Sequence, residues 1–285
     1  MKNMKWIPIL AIVAVTAVSC GPKKETQKEE AKKDAPKMLV LYYSQTSNTK
    51  AVATEIATRL GADIEEIVPV NPYDGDFQAT IERCMQEREQ AVVTEIQPLT
   101  VDVTQYDVLF IGYPVWFGTY APPVITFLNQ VDLSGKKIVP FCTFGSGGLE
   151  SSMKDLAEAQ PQAEILSGYG VRAARLEAMP KEIDQFLKSE GFLEGEYINL
   201  EEFSEQHPVS EEENTVFNAA VDGYPMLHAQ AKTVASRAIP EGIEYLFIAE
   251  DLPRENNPKM PPAGEMKVYV TVIEGQSPVF TRVVR

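Results

Sequence analysis

Met38-Leu-Val-Leu-Tyr-Tyr-Ser-Gln-Thr-Ser-Asn-Thr49 is the stretch that decides the fold. Met38 to Tyr43 is a short unbroken apolar run that ends at polar residues, the pattern of a strand buried on both faces of a parallel sheet. Beyond it, Val52, Ile56 and Leu60 fall on one helical face and Gly61 stops the run. Between strand and helix lies Ser44 to Thr49, with hydroxyls at Ser44, Thr46, Ser47 and Thr49 and an amide at Asn48. Such a loop can bind a phosphate with no basic residue. Backbone N–H groups at the helix N-terminus and the hydroxyls donate, and the helix dipole favours the anion. The same residues also fit a polar N-cap with redundant hydroxyls. They match neither the glycine-rich dinucleotide fingerprint nor a Walker loop with its lysine.

Outward from this stretch, strand and helix keep alternating. Strands are expected at 63–68, 107–112, 137–143 and 165–171, and helices near 76–91, 121–131, 149–159 and 179–190. That order predicts an α/β fold, a doubly wound five-stranded parallel sheet with crossover helices on both faces. Ligands of such sheets bind at the carboxyl ends of strands where the winding reverses, which selects the loops after strands one, three and four. The second of these is Gly112-Tyr-Pro-Val-Trp-Phe-Gly-Thr-Tyr-Ala-Pro-Pro123, a large aromatic pair bracketed by Pro114 and Gly118. Trp116 and Phe117 can face a ligand there or seal the following helix onto the sheet. The third is Cys142-Thr-Phe-Gly-Ser-Gly-Gly148, where glycines let backbone amides come close to a flat ligand.

The first loop resembles the flavodoxin phosphate loop, Ser/Thr-x-Thr-Gly-x-Thr, with Ser47 in the glycine position. The second is similar to the Gly-Tyr-Pro-x-Trp-Trp-Gly loop of flavodoxin-like proteins, with Phe117 where a second Trp is common. In the third, Phe144 stands where relatives often have histidine. The resemblance spans about 38–192 and implies a noncovalently bound FMN. It places the phosphate at Ser44, Thr46, Ser47, Asn48 and Thr49. Pro114, Trp116, Phe117 and Gly118 would wall one side of the ring, with Phe144, Gly145, Gly147 and Gly148 along its other edge. Ser47 raises the question of whether the loop needs a positive φ, which disfavours any residue with a Cβ.

The ends of the chain read differently. Lys2 and Lys5 precede an apolar run from Trp6 to Val18, too short for the roughly 20 residues that span a bilayer and suited to a cleaved signal. It closes on Ala17-Val18-Ser19-Cys20-Gly21, which resembles the bacterial lipobox and implies a diacylglycerol on Cys20. Residues 1–20 are thus expected to be a lipoprotein signal peptide. Residues 21–37 hold no large apolar side chain and are expected to form a charged tether. The protein is then expected to be extracytoplasmic, anchored to a bacterial membrane on its periplasmic side or at the cell surface.

Residues 193–285 show no triad, metal cluster or phosphate loop. Ser210-Glu-Glu-Glu213 can cap a helix, and helical spacing runs over 214–237 with Val216, Ala220 and Met226 as buried candidates. Strands at 243–249, 266–273 and 278–284, with a Pro-rich loop from Pro253 to Pro262, complete a small α+β domain, a helix lying on an antiparallel sheet. Interaction or homodimerisation is expected of it rather than catalysis, and it can cover part of the cofactor site. His207 is expected in a solvated loop, His228 on the helix surface, and Cys84 and Cys142 as buried thiols.

Composition narrows the function. With 44% hydrophobic residues the chain of 285 has ample core for two domains, and its net charge of −15 repels phosphate backbones, which excludes nucleic acid as a general partner. Two histidines and three cysteines leave little for a metal site or a disulfide framework. The expected function is electron transfer through FMN to a redox partner protein or a quinone-like small molecule. An NAD(P)H-dependent quinone or flavin reductase, and a non-catalytic scaffold with a degenerate site, are the alternatives. Whether the chain is itself an enzyme stays open; if so it is an FMN-dependent oxidoreductase.

Overall fold

The computed structural model describes residues 35–73, 76–90, 92–222, 224, 227–252 and 264–285. Cys20, the signal segment, most of the tether, Met226 and the loop from Pro253 to Pro262 lie outside the described residues. Among those described, no helix is long and apolar enough to cross a membrane.

The first strand, β1 (Met38–Tyr42), shows why an unbroken apolar run was needed. Leu39, Leu41 and Tyr43 enter one buried cluster, while Val40 and Tyr42 enter a second on the opposite face of the sheet. The chain continues through α1 (Asn48–Leu60), β2 (Asp63–Glu66), α2 (Phe77–Glu89) and β3 (Val108–Trp116). Next come β4 (Thr119–Tyr120), α3 (Pro122–Gln130), β5 (Lys137–Phe144) and α4 (Leu149–Ala159). The last elements of this lobe are β6 (Glu164–Ile165), β7 (Tyr169–Arg172) and α5 (Met179–Ser189). Spatial order is β2-β1-β3-β5-β6, with β7 also on β5 and all of these pairings parallel. Val52, Ile56, Ile183 and Leu187 put α1 and α5 on one face. Cys84, Phe127 and Leu156 put α2, α3 and α4 on the other.

The fifth strand, expected as one piece, is broken. Its register with β5 jumps from Ile138↔Ile165 to Phe141↔Tyr169, so an extra residue bulges out between them. Pro140 lies in this interval of β5 and has no N–H to offer a neighbour.

The second lobe comprises β8 (His207–Pro208), α6 (Glu211–Val221), β9 (Ala229–Ile239), β10 (Gly242–Asp251), β11 (Glu265–Ile273) and β12 (Val279–Val284). The strands form one antiparallel sheet in the order β12-β11-β10-β9-β8. Phe217 of α6 is fully buried against this sheet, its ring 5.1 Å from that of Phe247. Ser210 starts α6 with a reciprocal capping box: its side chain accepts from the Glu213 N–H, and the Glu213 carboxylate accepts from the Ser210 N–H.

Two sequence expectations are corrected here. The helix expected over 214–237 is α6, which ends at Val221, and residues 229–239 are instead strand β9, paired along its length with β10. His228 therefore precedes a strand and lies on no helix, and His207 sits in β8 opposite Val234.

Candidate functional site

The strand order reverses between β1 and β3, and the loops leaving these strands meet there. Ser47 is the N-cap of α1 and adopts φ 66°, ψ −1°, the left-handed region. The positive φ that glycine would supply is thus required, and serine supplies it with strain. The Ser47 side chain makes no capping bond. Ser44 partly takes over, its Oγ accepting from the Lys50 N–H at 3.2 Å. The N–H groups of Asn48 and Thr49 have no intrahelical acceptor by helix geometry. Thr46 and Ser47 are exposed and Ser44 and Asn48 half-buried, so donors gather at an open helix end. Thr49 turns inward, buried, with its Oγ1 2.9 Å from Thr143 Oγ1 at the end of β5.

Gln45, within the same loop, donates to Thr80 Oγ1 at 2.6 Å and to the Tyr73 carbonyl at 3.2 Å, tying the loop to the first turn of α2 and to the segment before it. Tyr73 then completes an aromatic cluster. Trp116 meets the ring of Tyr43 at 5.7 Å and that of Tyr73 at 5.1 Å, both edge-on. The Tyr73 hydroxyl donates to Glu87 at 2.5 Å, and Arg83 lies 3.9 Å over its ring. Burial pushes the pKa values of Tyr43 and Tyr73 up, and for Tyr73 the bond to Glu87 adds to it, so both phenols stay neutral at physiological pH.

The loop after β3 is a tight hairpin. Trp116 faces Thr119, and the two residues between them, Phe117 and Gly118, have φ of 53° and 85°. Positive φ at both central positions is the type I′ pattern, natural for Gly118 and strained for Phe117. Phe117 is 51% exposed at the tip, while Pro114 and Trp116 are half-buried. The Gly118 carbonyl accepts from Ser151 Oγ at 2.6 Å, joining the hairpin to the start of α4.

The loop after β5 is the least like its sequence expectation. Phe144 is buried in the core beside Gly170, not presented with the exposed Gly145. Gly147 forms a parallel bridge with Val283 of β12. The second lobe therefore reaches the glycine loop directly, and elsewhere two ion pairs, Lys181–Glu241 and Arg282–Glu150, join the lobes. Cys84 and Cys142 are both buried, and burial pushes the Cys142 thiol well up, away from thiolate character.

Tyr43, Tyr73, Gln45, Arg172 and Val283 join the site without having been singled out from the sequence. Tyr43 was legible as the residue next to the loop. Nothing local marks Tyr73 or Val283, which arrive by tertiary contact.

A parallel sheet in this order, with a hydroxyl-rich loop at the reversal and an aromatic hairpin beside it, defines a flavodoxin-like α/β protein. The flavodoxin family model matches residues 37–183, and the chain belongs to that family. Among solved structures, a protein described as a flavoprotein from Bacteroides eggerthii is 28% identical, covering 53% of this chain and 97% of its own, with TM-score 0.46. One similarly described from Bacteroides uniformis is 27% identical, covering 52% and 98%, also with TM-score 0.46. A flavoprotein from Lactobacillus acidophilus NCFM, crystallised in complex with FMN, is 25% identical, covering 53% and 97%, with TM-score 0.45.

Proposed function

We propose that this protein is an exported, lipid-anchored flavodoxin that holds FMN noncovalently and passes electrons to a redox partner. The observation that carries the cofactor reading is the open N-terminus of α1. Ser47 leaves the helix end uncapped by its side chain, and Ser44, Thr46 and Ser47 surround it with hydroxyls. A phosphate monoester fits this donor set, which needs an acceptor-rich anion and has no competing carboxylate in the loop. Bound FMN supplies the redox chemistry, accepting and releasing electrons at its ring.

The chain's own residues position and insulate. Ser44, Thr46, Ser47 and the first-turn N–H groups of α1 fix the phosphate. Trp116, held edge-on by two neutral tyrosines, gives the ring a firm aromatic border, and Phe117 extends it outward. An acidic chain of net charge −15 opposes the negative charge that reduction adds to a flavin, which lowers its potential and suits a carrier that gives electrons away.

The test is titration of the purified protein with FMN, followed by flavin fluorescence and the visible spectrum. Saturable binding with Kd of about 1 μM or tighter supports the reading. Failure to bind FMN, FAD or riboflavin at about 100 μM overturns it and leaves a scaffold. Anchoring is tested separately by mass spectrometry of the membrane-extracted chain. It should begin at Cys20 and carry the lipid, and Cys20→Ala should abolish both. An unmodified mature N-terminus would reject the anchor and keep the flavin reading intact.

A further inference from the structure

The glycine loop after β5 is gripped by the second lobe. A Cβ on Gly147 would lie 1.9 Å from the Val283 carbonyl oxygen, so glycine is required there by the approach of β12. The Val283 N–H donates to the Ser146 carbonyl at 2.6 Å. One step away, Gly145 offers its carbonyl to Arg172, the last residue of β7. Arg172 Nε donates to Gly145 O at 2.9 Å, and Nη1 donates to Phe280 O at 2.6 Å. The guanidinium also lies 4.3 Å over the Phe280 ring and 5.1 Å from that of Tyr224. A single half-buried cation thus joins the loop, the fifth strand and two parts of the second lobe.

We propose that Arg172 is a positioning residue of the FMN site: by clamping Gly145 to β12 it fixes the glycine loop that borders the flavin, and makes the second lobe a working part of that site. The inference rests on the FMN reading above. A loop this rich in glycine loses the most conformational entropy on ordering, and a ligand that had to order it would bind more weakly. Here the ordering is done in advance by the fork of one guanidinium. The two carbonyls are approached from different nitrogens of one planar fork, whereas a lysine carries its three donors on a single nitrogen and cannot reproduce that span. The clamp is coupled to the phosphate loop as well. Thr143, two residues before Gly145, is the partner of Thr49 in α1. Arg172 also places a fixed positive charge beside the site of a strongly acidic chain, so its removal lowers the reduction potential of bound FMN.

The experiment compares the full-length protein in detergent with Arg172→Lys, Arg172→Met and Gly147→Ala. Three quantities are read: amide hydrogen exchange over 144–149 and 279–285 without flavin, Kd for FMN, and the potential of bound FMN. Each variant should speed exchange in both segments and weaken FMN by about tenfold or more. Arg172→Met alone should lower the potential, because Arg172→Lys and Gly147→Ala keep the charge. Faster exchange with unchanged Kd and potential would overturn the proposal, making Arg172 a latch between lobes and nothing more. Unchanged exchange would overturn it too, since the loop would then be held by something else. If the unaltered protein binds no FMN, the cofactor reading itself falls, while exchange still reports whether the clamp exists. Should Arg172→Met fail to fold, the other two variants decide the matter.

Discussion

Ser47→Gly separates the backbone cost of the loop before α1 from the work proposed for its hydroxyl. Ser47 sits at φ 66°, ψ −1° and its side chain makes no capping bond, so glycine removes strain and forfeits no contact within the helix. The left-handed conformation costs an L-residue about 1 kcal/mol at the low end. Glycine gives back roughly 0.4–1 kcal/mol by loosening the unfolded chain. The expected net change is a stabilisation of about 0.5 kcal/mol at most, read as a small rise in the urea midpoint of flavin-free protein. Binding should move the other way. A hydroxyl donating to an anionic phosphate contributes about 1.5–3 kcal/mol, so Kd for FMN should rise about 10- to 100-fold. Ser47→Ala is the control, because it keeps the Cβ and loses only the hydroxyl. It should weaken FMN equally and bring no gain in stability. A loss of more than about 0.5 kcal/mol in Ser47→Gly would refute the strain argument. Unchanged or tighter FMN binding would refute the hydroxyl's role and leave the phosphate to backbone N–H groups alone.

Phe117→Asn should raise flavin-free stability by about 0.5–1 kcal/mol, since asparagine tolerates the left-handed region that Phe117 occupies, and it should weaken FMN; urea denaturation and flavin titration read the two effects. Trp116→Ala removes two edge-on aromatic contacts and should cost about 2–3 kcal/mol in stability and about 1–3 kcal/mol in FMN affinity. Asp184 of α5 is held below the ordinary aspartate range, first by its hydrogen bond from Lys188 and, against the opposing effect of burial, by the charges of Lys188 and Arg59. Its folded pKa is depressed, so its stabilisation is complete above the unfolded value of about 3.9 and is lost as pH falls through the folded value. Asp184→Asn should therefore flatten the decline of the urea midpoint below about pH 4, and an unchanged acid limb would reject the assignment.

What the sequence reveals of the fold follows the range of the interactions involved. Met38 to Tyr43 and the spacing of Val52, Ile56 and Leu60 are local patterns set by burial, and β1 and α1 stand where those patterns put them. The second lobe is different. Ala229-Gln-Ala-Lys-Thr-Val-Ala-Ser-Arg-Ala-Ile239 is rich in good helix formers, so propensity continues the helix begun at Glu211. In the sequence Gly223 and Pro225 are the local stop for this helix, which ends at Val221, and the strand conformation beyond them comes from pairing with β10, a partner that local spacing does not reveal. The break in the fifth strand was half legible, through Pro140, but the strand that yields lies across the sheet from it. In the candidate site, the hydroxyl-rich loop before α1 could be placed because strand, loop and helix are consecutive. Tyr73 and Val283 could not, since each reaches its loop through the fold.

The glycine loop shows how a motif can carry a cause other than the one read from it. Its glycines were singled out for the room they give a flat ligand, and at Gly147 that room is taken by the Val283 carbonyl. The three loops are then already bound to one another or to their surroundings before any cofactor arrives. Thr49 is tied to Thr143, Gly118 to Ser151, Gln45 to Thr80, and Gly145 through Arg172 to Phe280. Groups ordered in this way do not have to be ordered by the ligand, so more of the contact energy is available as affinity. Thr46, Ser47 and Phe117 are exposed, and Ser47 and Phe117 are the non-glycine residues held at positive φ among the described residues. Backbone strain of this kind persists where the surroundings over-determine it, and it clusters where a ligand can use it. That coincidence ties the two strained positions to the same binding event and predicts that Ser47→Gly and Phe117→Asn, each expected to stabilise the flavin-free protein, will each narrow the gain in stability that FMN confers.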